Sequence, residues 1–349
     1  MMFKLDKKDF DHFLKDLLET HDLFAPVQLA EGVSVFKKID NPGEVSLSQL
    51  VPQKSAKEVF FPQSEVMFRY QIAGNQGPTV SEQKIERERI LLGARPCDIE
   101  AIAIIEKVFV GEDYTDVYFL EKRKKTTIIT LSCNHPLTTC FCSSTGGSPF
   151  RREGSDLFLI DLGESYLVEL LTEKGLIFSK NRFFKEVDPN DLTLVKELEE
   201  KAFEKVGYAI PVEGIEKRLD LMTESFFWDR SHEKCIGCGV CTFLCPTCHC
   251  FDITDEAVNL KGERVRNWDS CLFPTYSLET SGHNPRPTGR ERTRQRLMHK
   301  FNYYPKIFGR VACVGCGRCI IYCPVQFDIR EAIRYASSKR GEGLEGKFR

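Results

Sequence analysis

Two copies of one cysteine pattern near the C-terminal end constrain this chain more than any other feature of its sequence. The segments CIGCGVCTFLCP and CVGCGRCIIYCP both read Cys-x2-Cys-x2-Cys-x3-Cys-Pro. Three thiolates at this spacing hold one [4Fe-4S] cube, and the fourth, redirected by the proline that follows it, reaches a second cube. The predicted ligands are Cys235, Cys238, Cys241, Cys245, Cys313, Cys316, Cys319 and Cys323.

The geometry of this motif predicts two neighbouring [4Fe-4S] clusters that exchange their fourth ligands. Cys245 is expected on the cube of the second motif and Cys323 on the cube of the first. Zinc is the alternative metal, but zinc knuckles usually present two separated Cys-x2-Cys pairs rather than three consecutive cysteines followed by Cys-Pro. The pattern therefore favours iron–sulfur clusters.

The composition is that of a globular protein without a charge bias. The 349 residues are 42% hydrophobic and 29% charged, with 49 basic and 51 acidic side chains. This balance argues against a bulk role on nucleic acid or on a membrane surface. The N-terminal segment lacks the apolar core of a signal peptide, and no run approaches the roughly 18 apolar residues of a membrane span. We expect a soluble cytoplasmic protein whose 15 cysteines are reduced and hold metal.

Hydrophobic runs in the first two thirds of the chain alternate between strand and helix patterns. A buried strand at Ile90–Gly93 is followed by a helix that Asp98 is expected to cap, and a second strand ends at Cys133. Two more strands flank Gly163, and short apolar runs such as EVFF over residues 23–72 read as further strands. The pattern predicts a mixed α/β domain.

The predicted fold class is α+β, with a mixed α/β domain over residues 1–225 and an α-helical ferredoxin-type dicluster domain over residues 226–349. The segment PVEGIEKRLD, residues 211–220, is interpreted as the passage between them. The stretch from Cys245 to Cys313 is far longer than the hairpin of a small bacterial ferredoxin, so helices are expected around the clusters. The C-terminal GEGLEGKFR is expected to be a mobile tail.

Four more cysteines in the first domain, Cys97, Cys133, Cys140 and Cys142, match the number that one further cube requires. Cys97 and Cys133 both follow predicted strands, and adjacent strands would bring them to one edge of a sheet. A position at a helix N-terminus would make Cys97 an easily ionised thiol. We predict a third [4Fe-4S] cluster here. The alternatives are zinc on the same thiolates or free buried cysteines, and His135 is more typical of a hydrogen-bonded loop residue than of a ligand.

Cys248, Cys250 and Cys271 lie close in sequence to the first motif and form an incomplete metal site. His249, His283 or an outside ligand would complete a zinc or iron site. The alternative, packing beside the clusters, is slightly favoured.

The segment GHNPRPTGRERTRQRLMHK is rich in basic residues, which are Arg286, Arg290, Arg292, Arg294, Arg296 and Lys300. One interpretation is a solvated helix face with counter-charges, which is the usual role of such a run. The other is a basic surface that docks an acidic partner or a redox protein.

Several segments taken in order resemble one family in particular. RPCD, CNHP with CFC, CIGCGVCTFLCPTCHCFDI, RNWDSCLF, the arginine-rich segment and CVGCGRCIIYCP, spanning roughly residues 90 to 335, are similar to the sulfhydrogenase beta subunits and the A subunit of anaerobic sulfite reductase. The resemblance implies a ferredoxin-type dicluster domain in which the eight cysteines of the two motifs are ligands. It also implies an electron-transfer subunit working between a flavin-binding, NAD(P)H-oxidising subunit and a catalytic subunit, either a nickel-iron hydrogenase or a siroheme sulfite reductase.

The leading hypothesis is therefore an iron–sulfur electron-transfer subunit of a cytoplasmic oxidoreductase complex. Neither Gly-x-Gly-x-x-Gly after a strand nor Gly-x4-Gly-Lys-Ser/Thr occurs, and no catalytic constellation can be singled out. Two alternatives stay open: a reductase with its own substrate site near Cys248, Cys250 and Cys271, and a zinc-stabilised binding module.

Overall fold

Eleven strands form two sheets in the computed structural model, which describes residues 1–48, 51–72, 77–82, 84–206 and 209–338. The predicted C-terminal tail lies outside these residues. The strands are β1 Met2–Asp6, β2 Asp22–Ala30, β3 Val33–Ile39, β4 Ser64–Ile72, β5 Pro78–Glu82, β6 Arg89–Ala94, β7 Thr126–Leu131, β8 Leu157–Asp161, β9 Ser165–Leu170, β10 Phe251–Val258 and β11 Lys261–Trp268. The larger sheet has seven strands in the order β1-β9-β8-β7-β6-β2-β3.

Helices cover the larger sheet and make up most of the region around the two cysteine motifs. They are α1 Lys7–Thr20, α2 Pro96–Phe109, α3 Val117–Lys124, α4 Glu173–Leu176, α5 Pro189–Lys205, α6 Ile215–Leu221, α7 Phe227–Glu233, α8 Val240–Phe243, α9 Gly289–Met298, α10 Tyr304–Phe308, α11 Arg318–Ile321 and α12 Ile329–Ser337. In the described ranges, no helix combines the length and the apolar character needed to cross a membrane.

The centre of the larger sheet is parallel, since β2, β6, β7 and β8 pair in the same direction. Strands β6 and β7 are buried throughout or nearly so, which explains their continuous apolar sequences. Because neighbouring parallel strands end at one edge, the loops after β6 and β7 lie side by side. Cys97 follows β6 in the first turn of α2 and Cys133 follows β7, as the sequence predicted.

Two local predictions for the first domain are wrong. Helix α2 begins at Pro96 with Arg95 as its N-cap, and Asp98 lies inside the first turn. Proline suits this position because its missing N–H has no partner in the first turn of a helix. The EVFF segment is not a strand either, since Ala56–Val59 forms a 3-10 helix. The predicted strands around Gly163 are confirmed as the antiparallel pair β8 and β9.

The smaller sheet, in the order β10-β11-β4-β5, joins the two parts of the chain. Strands β10 and β11 form a hairpin between the two cysteine motifs, where helices were expected. Strand β11 pairs with β4, so this sheet draws strands from both sides of the predicted domain boundary. Arg266 of β11 is 1% exposed, and its guanidinium contacts the carboxylates of Glu65 and Asp116. The mixed α/β part and the helical, cysteine-rich part confirm the predicted fold class.

Candidate metal centres

Cysteines of both motifs line a first cavity. Cys235, Cys238 and Cys241 come from the first motif, and Cys323 is the last cysteine of the second. Apolar side chains surround them, including Leu272, Leu297 and Phe327, which limits the access of water. Cys238 is solvent-exposed, so this cavity lies at the surface of the protein.

A second cavity contains the complementary set of cysteines. Its lining includes Cys313, Cys316 and Cys319 of the second motif and Cys245, the last cysteine of the first. Cys319 also lines the first cavity, so the two are immediate neighbours. This grouping is the one that exchanged fourth ligands would produce.

Glycine is required where the second motif meets the loop of Cys140 and Cys142. Gly315 has a φ of 61°, and a Cβ at this position would overlap the backbone of Phe141 and Cys142. The same contact includes a hydrogen bond of 2.8 Å from the N–H of Phe141 to the carbonyl of Gly315. The motif glycines therefore allow close approach of two loops as well as a sharp turn.

Two cations are buried against the cysteines of the second cavity. The Lys300 ammonium lies 3.3 Å from Cys245 Sγ and donates to the Thr247 hydroxyl at 2.8 Å and to the Ala312 carbonyl at 3.1 Å. Arg296, 6% exposed, lines both cavities. Burial disfavours a charged lysine, yet the pKa of Lys300 is raised because thiolates at Cys245 and Cys248 stabilise the charge. Burial therefore contradicts both interpretations of the basic segment, the docking surface and the solvated helix face, for Arg296 and Lys300.

The rest of the basic segment includes arginines at the surface that have acidic partners. Arg294 pairs with Glu224 at 3.1 Å, and Arg290 pairs with Asp229 at 3.1 Å. Arg292 donates instead to backbone carbonyls, including that of Pro287 at 2.9 Å. These contacts agree with the interpretation of a solvated helix face with counter-charges.

The cysteines fit iron–sulfur clusters by their grouping and by their surroundings. Burial raises the pKa of Cys313 to about 12, so its thiol alone would stay protonated near neutral pH. A metal cluster deprotonates its thiols outright, and the nearby cations Lys300 and Arg296 offset the resulting negative charge. Each cavity therefore has at least four thiols and a compensating positive charge.

The four cysteines of the first domain lie close together beside the second motif. Burial, together with negative charge on neighbouring cysteines that include Cys133, raises the pKa values of Cys140 and Cys142 to about 12. Cys97 contacts the apolar cluster that contains Cys316, and Cys140 Sγ lies 3.9 Å from the Cys316 carbonyl. The pKa of Cys97 is raised well above its ordinary value by burial and by Asp98, so the predicted easily ionised thiol is wrong for the metal-free chain.

His135 follows Cys133 closely in sequence and lies at the surface of the protein. His135 is exposed, and its Nδ1 lies 3.4 Å from the ammonium of Lys205. This contact agrees with the interpretation of His135 as a hydrogen-bonded loop residue.

Cys248, Cys250 and Cys271 line a third cavity, together with His249, His299, Arg296 and Lys300. His283, one of the two histidines considered from the sequence, is exposed and is not part of this lining. His299 was not anticipated, because it belongs to a π-helical turn, His299–Tyr303, that follows α9. Such turns are frequent at functional sites and leave no clear signal in a hydrophobic pattern.

No three His, Cys, Asp or Glu side chains within the described ranges converge as they would around a single metal ion. In a zinc site, by contrast, four thiolates that each bind the ion at about 2.3 Å lie within about 4 Å of one another.

The fold and the cysteine-lined cavities define an iron–sulfur protein of the dicluster type. A family model described as a 4Fe-4S dicluster domain matches residues 234–327. Over 328 residues, which cover 93% of this chain and 95% of the relative, the chain is 34% identical to the sulfhydrogenase 2 subunit beta of Pyrococcus furiosus. The chain belongs to the family of the sulfhydrogenase beta subunits. The search of solved structures gave no match.

These comparisons confirm the resemblance stated from the sequence and extend it into the N-terminal region, where no motif was matched. They also confirm that the chain is an iron–sulfur protein with [4Fe-4S] clusters and the electron-transfer role of such proteins. The number of clusters and the ligands of each stay predictions.

Proposed function

We propose that the chain relays electrons within a cytoplasmic oxidoreductase complex, between a flavin-binding NAD(P)H-oxidising subunit and a catalytic hydrogenase or sulfur- or sulfite-reducing subunit. The main support is that the cysteine groups adjoin one another in series. The first and second cavities share Cys319, and Cys316 of the second adjoins Cys97 of the N-terminal group. Such a series suits transfer between the surface at Cys238 and the N-terminal cysteine group.

Each cluster in this proposal has four cysteine ligands. When bound, [4Fe-4S] clusters supply one-electron redox chemistry, and the surrounding residues exclude water and set the local charge. The proposed ligand sets are Cys235, Cys238, Cys241 and Cys323 for the first cluster, Cys313, Cys316, Cys319 and Cys245 for the second, and Cys97, Cys133, Cys140 and Cys142 for the third.

The relative's name supports one of the proposed partners. The relative is named as a subunit of a sulfhydrogenase, which supports a hydrogenase subunit as one partner. The exposed Cys238 marks the surface at which the first cluster would exchange electrons. The division into domains at residues 225 and 226 is part of this proposal, although the four-stranded sheet ties the two parts together.

Anaerobic mixing of purified subunits tests the relay. With NAD(P)H alone the clusters of the isolated chain should stay oxidised. Addition of the flavin-binding subunit should bleach their visible absorbance, and the catalytic subunit with its substrate should restore it. Turnover of NAD(P)H by the isolated chain, without a flavoprotein, would overturn the relay proposal.

Full-length variants test the third cluster, since the strand pairing between β4 and β11 argues against cutting the chain. Cys133→Ser combined with Cys142→Ser should lower the iron and acid-labile sulfide content by about four each per chain. The signals of the first two clusters should persist. An unchanged iron content would contradict a third cluster at these cysteines.

A further inference from the structure

The third cavity contains a set of ligands that the relay proposal leaves unused. Cys248 and Cys250 come from the loop after the first motif, and Cys271 follows β11. Hairpin β10–β11 brings these segments together, since the Asp269 N–H donates to the Cys250 carbonyl at 2.9 Å. The hairpin therefore holds Cys250 and Cys271 at one cavity, and the loop before β10 adds Cys248.

His249 lines the same cavity and is the candidate for a fourth ligand. Its Nδ1 lies 3.1 Å from the backbone carbonyl of Thr247. This contact is satisfied by the tautomer with its proton on Nδ1, which leaves the lone pair on Nε2. Histidines that bind metal usually donate their other ring N–H to a carbonyl or carboxylate in this way. His299 also lines the cavity, at 5.2 Å between ring centroids and edge-on to His249.

Three buried cations lie close to the cavity. Lys57, 2% exposed, donates to the Cys248 carbonyl at 2.8 Å, and Arg296 Nη1 lies 3.7 Å from Cys248 Sγ. Lys300, 4% exposed, lines both this cavity and the one that contains Cys245. Within the part of the chain that the structure describes, none of the three cations pairs with a carboxylate.

Buried positive charge is unfavourable unless an anion lies beside it. The first two clusters would balance part of this charge through Cys245 and Cys241, whereas the contacts of Lys57 are the Cys248 carbonyl and the Trp268 ring, 3.9 Å from the ring centroid. An anionic metal centre on the thiolates of the third cavity would supply the remaining counter-charge.

We propose that Cys248, Cys250, Cys271 and the Nε2 of His249 ligate a further iron–sulfur cluster, in addition to those of the relay proposed above. Four ligands satisfy one cube. The shared lining residues Arg296 and Lys300 place this cluster next to the one that includes Cys245. A redox-active cluster gains negative charge on reduction, which the three cations favour, whereas the charge of a zinc site is fixed.

A neutral imidazole in place of one thiolate distinguishes this cluster from the proposed clusters that have four cysteine ligands. Histidine ligation raises the reduction potential of an iron–sulfur cluster relative to thiolate ligation. The variant His249→Cys should therefore keep the cluster and lower its reduction potential. A histidine that only packs beside the clusters would not produce such a shift.

The first measurement uses the unmodified full-length chain, purified anaerobically from cells grown with ¹⁵N-labelled histidine. Pulsed EPR on the reduced protein should detect a histidine nitrogen strongly coupled to one cluster. The coupling should vanish in His249→Cys and persist in His299→Gln and in His283→Gln, the matched control outside the cavity. Its absence from the unmodified protein would overturn the proposal, whether or not any variant folds.

The second measurement is a count of iron, acid-labile sulfide and zinc per chain. Cys250→Ser with Cys271→Ser should remove about four irons and four sulfides relative to the unmodified protein. One zinc per chain that disappears in this variant, with iron unchanged, would overturn the proposal in favour of a structural zinc site. Both measurements are made on the isolated chain, so failure of the relay with partner subunits would leave their outcome unaffected.

Discussion

Arg318 and Asp98 form an ion pair of 2.9 Å in which both side chains are completely buried. Arg318 lies between Cys316 and Cys319 at the start of α11, and Asp98 directly follows Cys97 in α2. The Arg318 Nε also donates to the Pro52 carbonyl at 2.8 Å. The pair therefore links the N-terminal cysteine group to the second motif.

Breaking this pair should destabilise the protein strongly. Arg318→Met leaves the Asp98 carboxylate buried without a counter-charge, which costs about 3–5 kcal/mol. We expect a large drop in the thermal unfolding midpoint of the anaerobic protein, measured by circular dichroism. The double variant Arg318→Met with Asp98→Leu should recover much of the loss, because an apolar pair leaves no buried charge.

Arg264→Met is the matched control for Arg318→Met. Arg264 forms a bidentate ion pair with Asp255 on the exposed hairpin, with hydrogen bonds of 2.8 and 2.7 Å. Surface pairs contribute about 0–1 kcal/mol, so the unfolding midpoint should change little. Equal effects of the two substitutions would contradict a stabilising role for the buried pair.

Lys300→Met should lower the reduction potential of the cluster to which Cys245 is bound. The ammonium lies 3.3 Å from Cys245 Sγ in a buried site, where it stabilises the added electron. Potentiometric titration followed by EPR measures the shift. Lys306→Met, on the same run of helix but paired with Asp220 at the surface, is the control and should leave every potential unchanged. A wild-type potential in Lys300→Met would show that this charge does not tune the cluster.

If the two motifs exchange their fourth ligands, we expect specific pairs of cysteine variants to change the same EPR signal. Cys323→Ser should perturb the same cluster signal as Cys238→Ser, because the two cysteines line one cavity. Cys245→Ser should perturb the signal that Cys313→Ser changes. EPR spectra of the four reduced variants are the measurement. A match between Cys323→Ser and Cys313→Ser would mean that each motif closes on its own cube.

Gly315→Ala should separate the second motif from the loop that precedes Cys142. The added methyl group overlaps the backbone of Phe141, in addition to the cost of a positive φ. Gly309→Ala is the control, since Gly309 has a φ of 71° and nothing within 4 Å of the built Cβ. The control should lose about 1–2 kcal/mol, and Gly315→Ala should lose more and retain less iron. Equal losses in stability and iron content would show that the close approach is unimportant.

The sequence by itself determined the features that depend on residues close together in the chain. The spacing of the motif cysteines indicated the clusters, because a cube requires its thiolates at short, fixed separations. The strand and helix around Cys97 were predictable from hydrophobic patterns, and parallel pairing then placed Cys133 beside it. These features can be predicted because helices and strands each impose a regular spacing on the apolar residues of a segment.

Only the tertiary structure decided the charges around the cysteines and the composition of the third cavity. Asp98 looked like a helix cap, and its partner Arg318 lies 220 residues away in the chain. Lys57 reaches Cys248 across 191 residues, and Arg296 looked like part of a solvated basic face until packing buried it. Burial and distant pairing depend on how all elements pack together, since the low dielectric of the interior makes a few buried charges dominate the environment of the cysteines. A sequence pattern within one segment does not predict which other segments will pack against it.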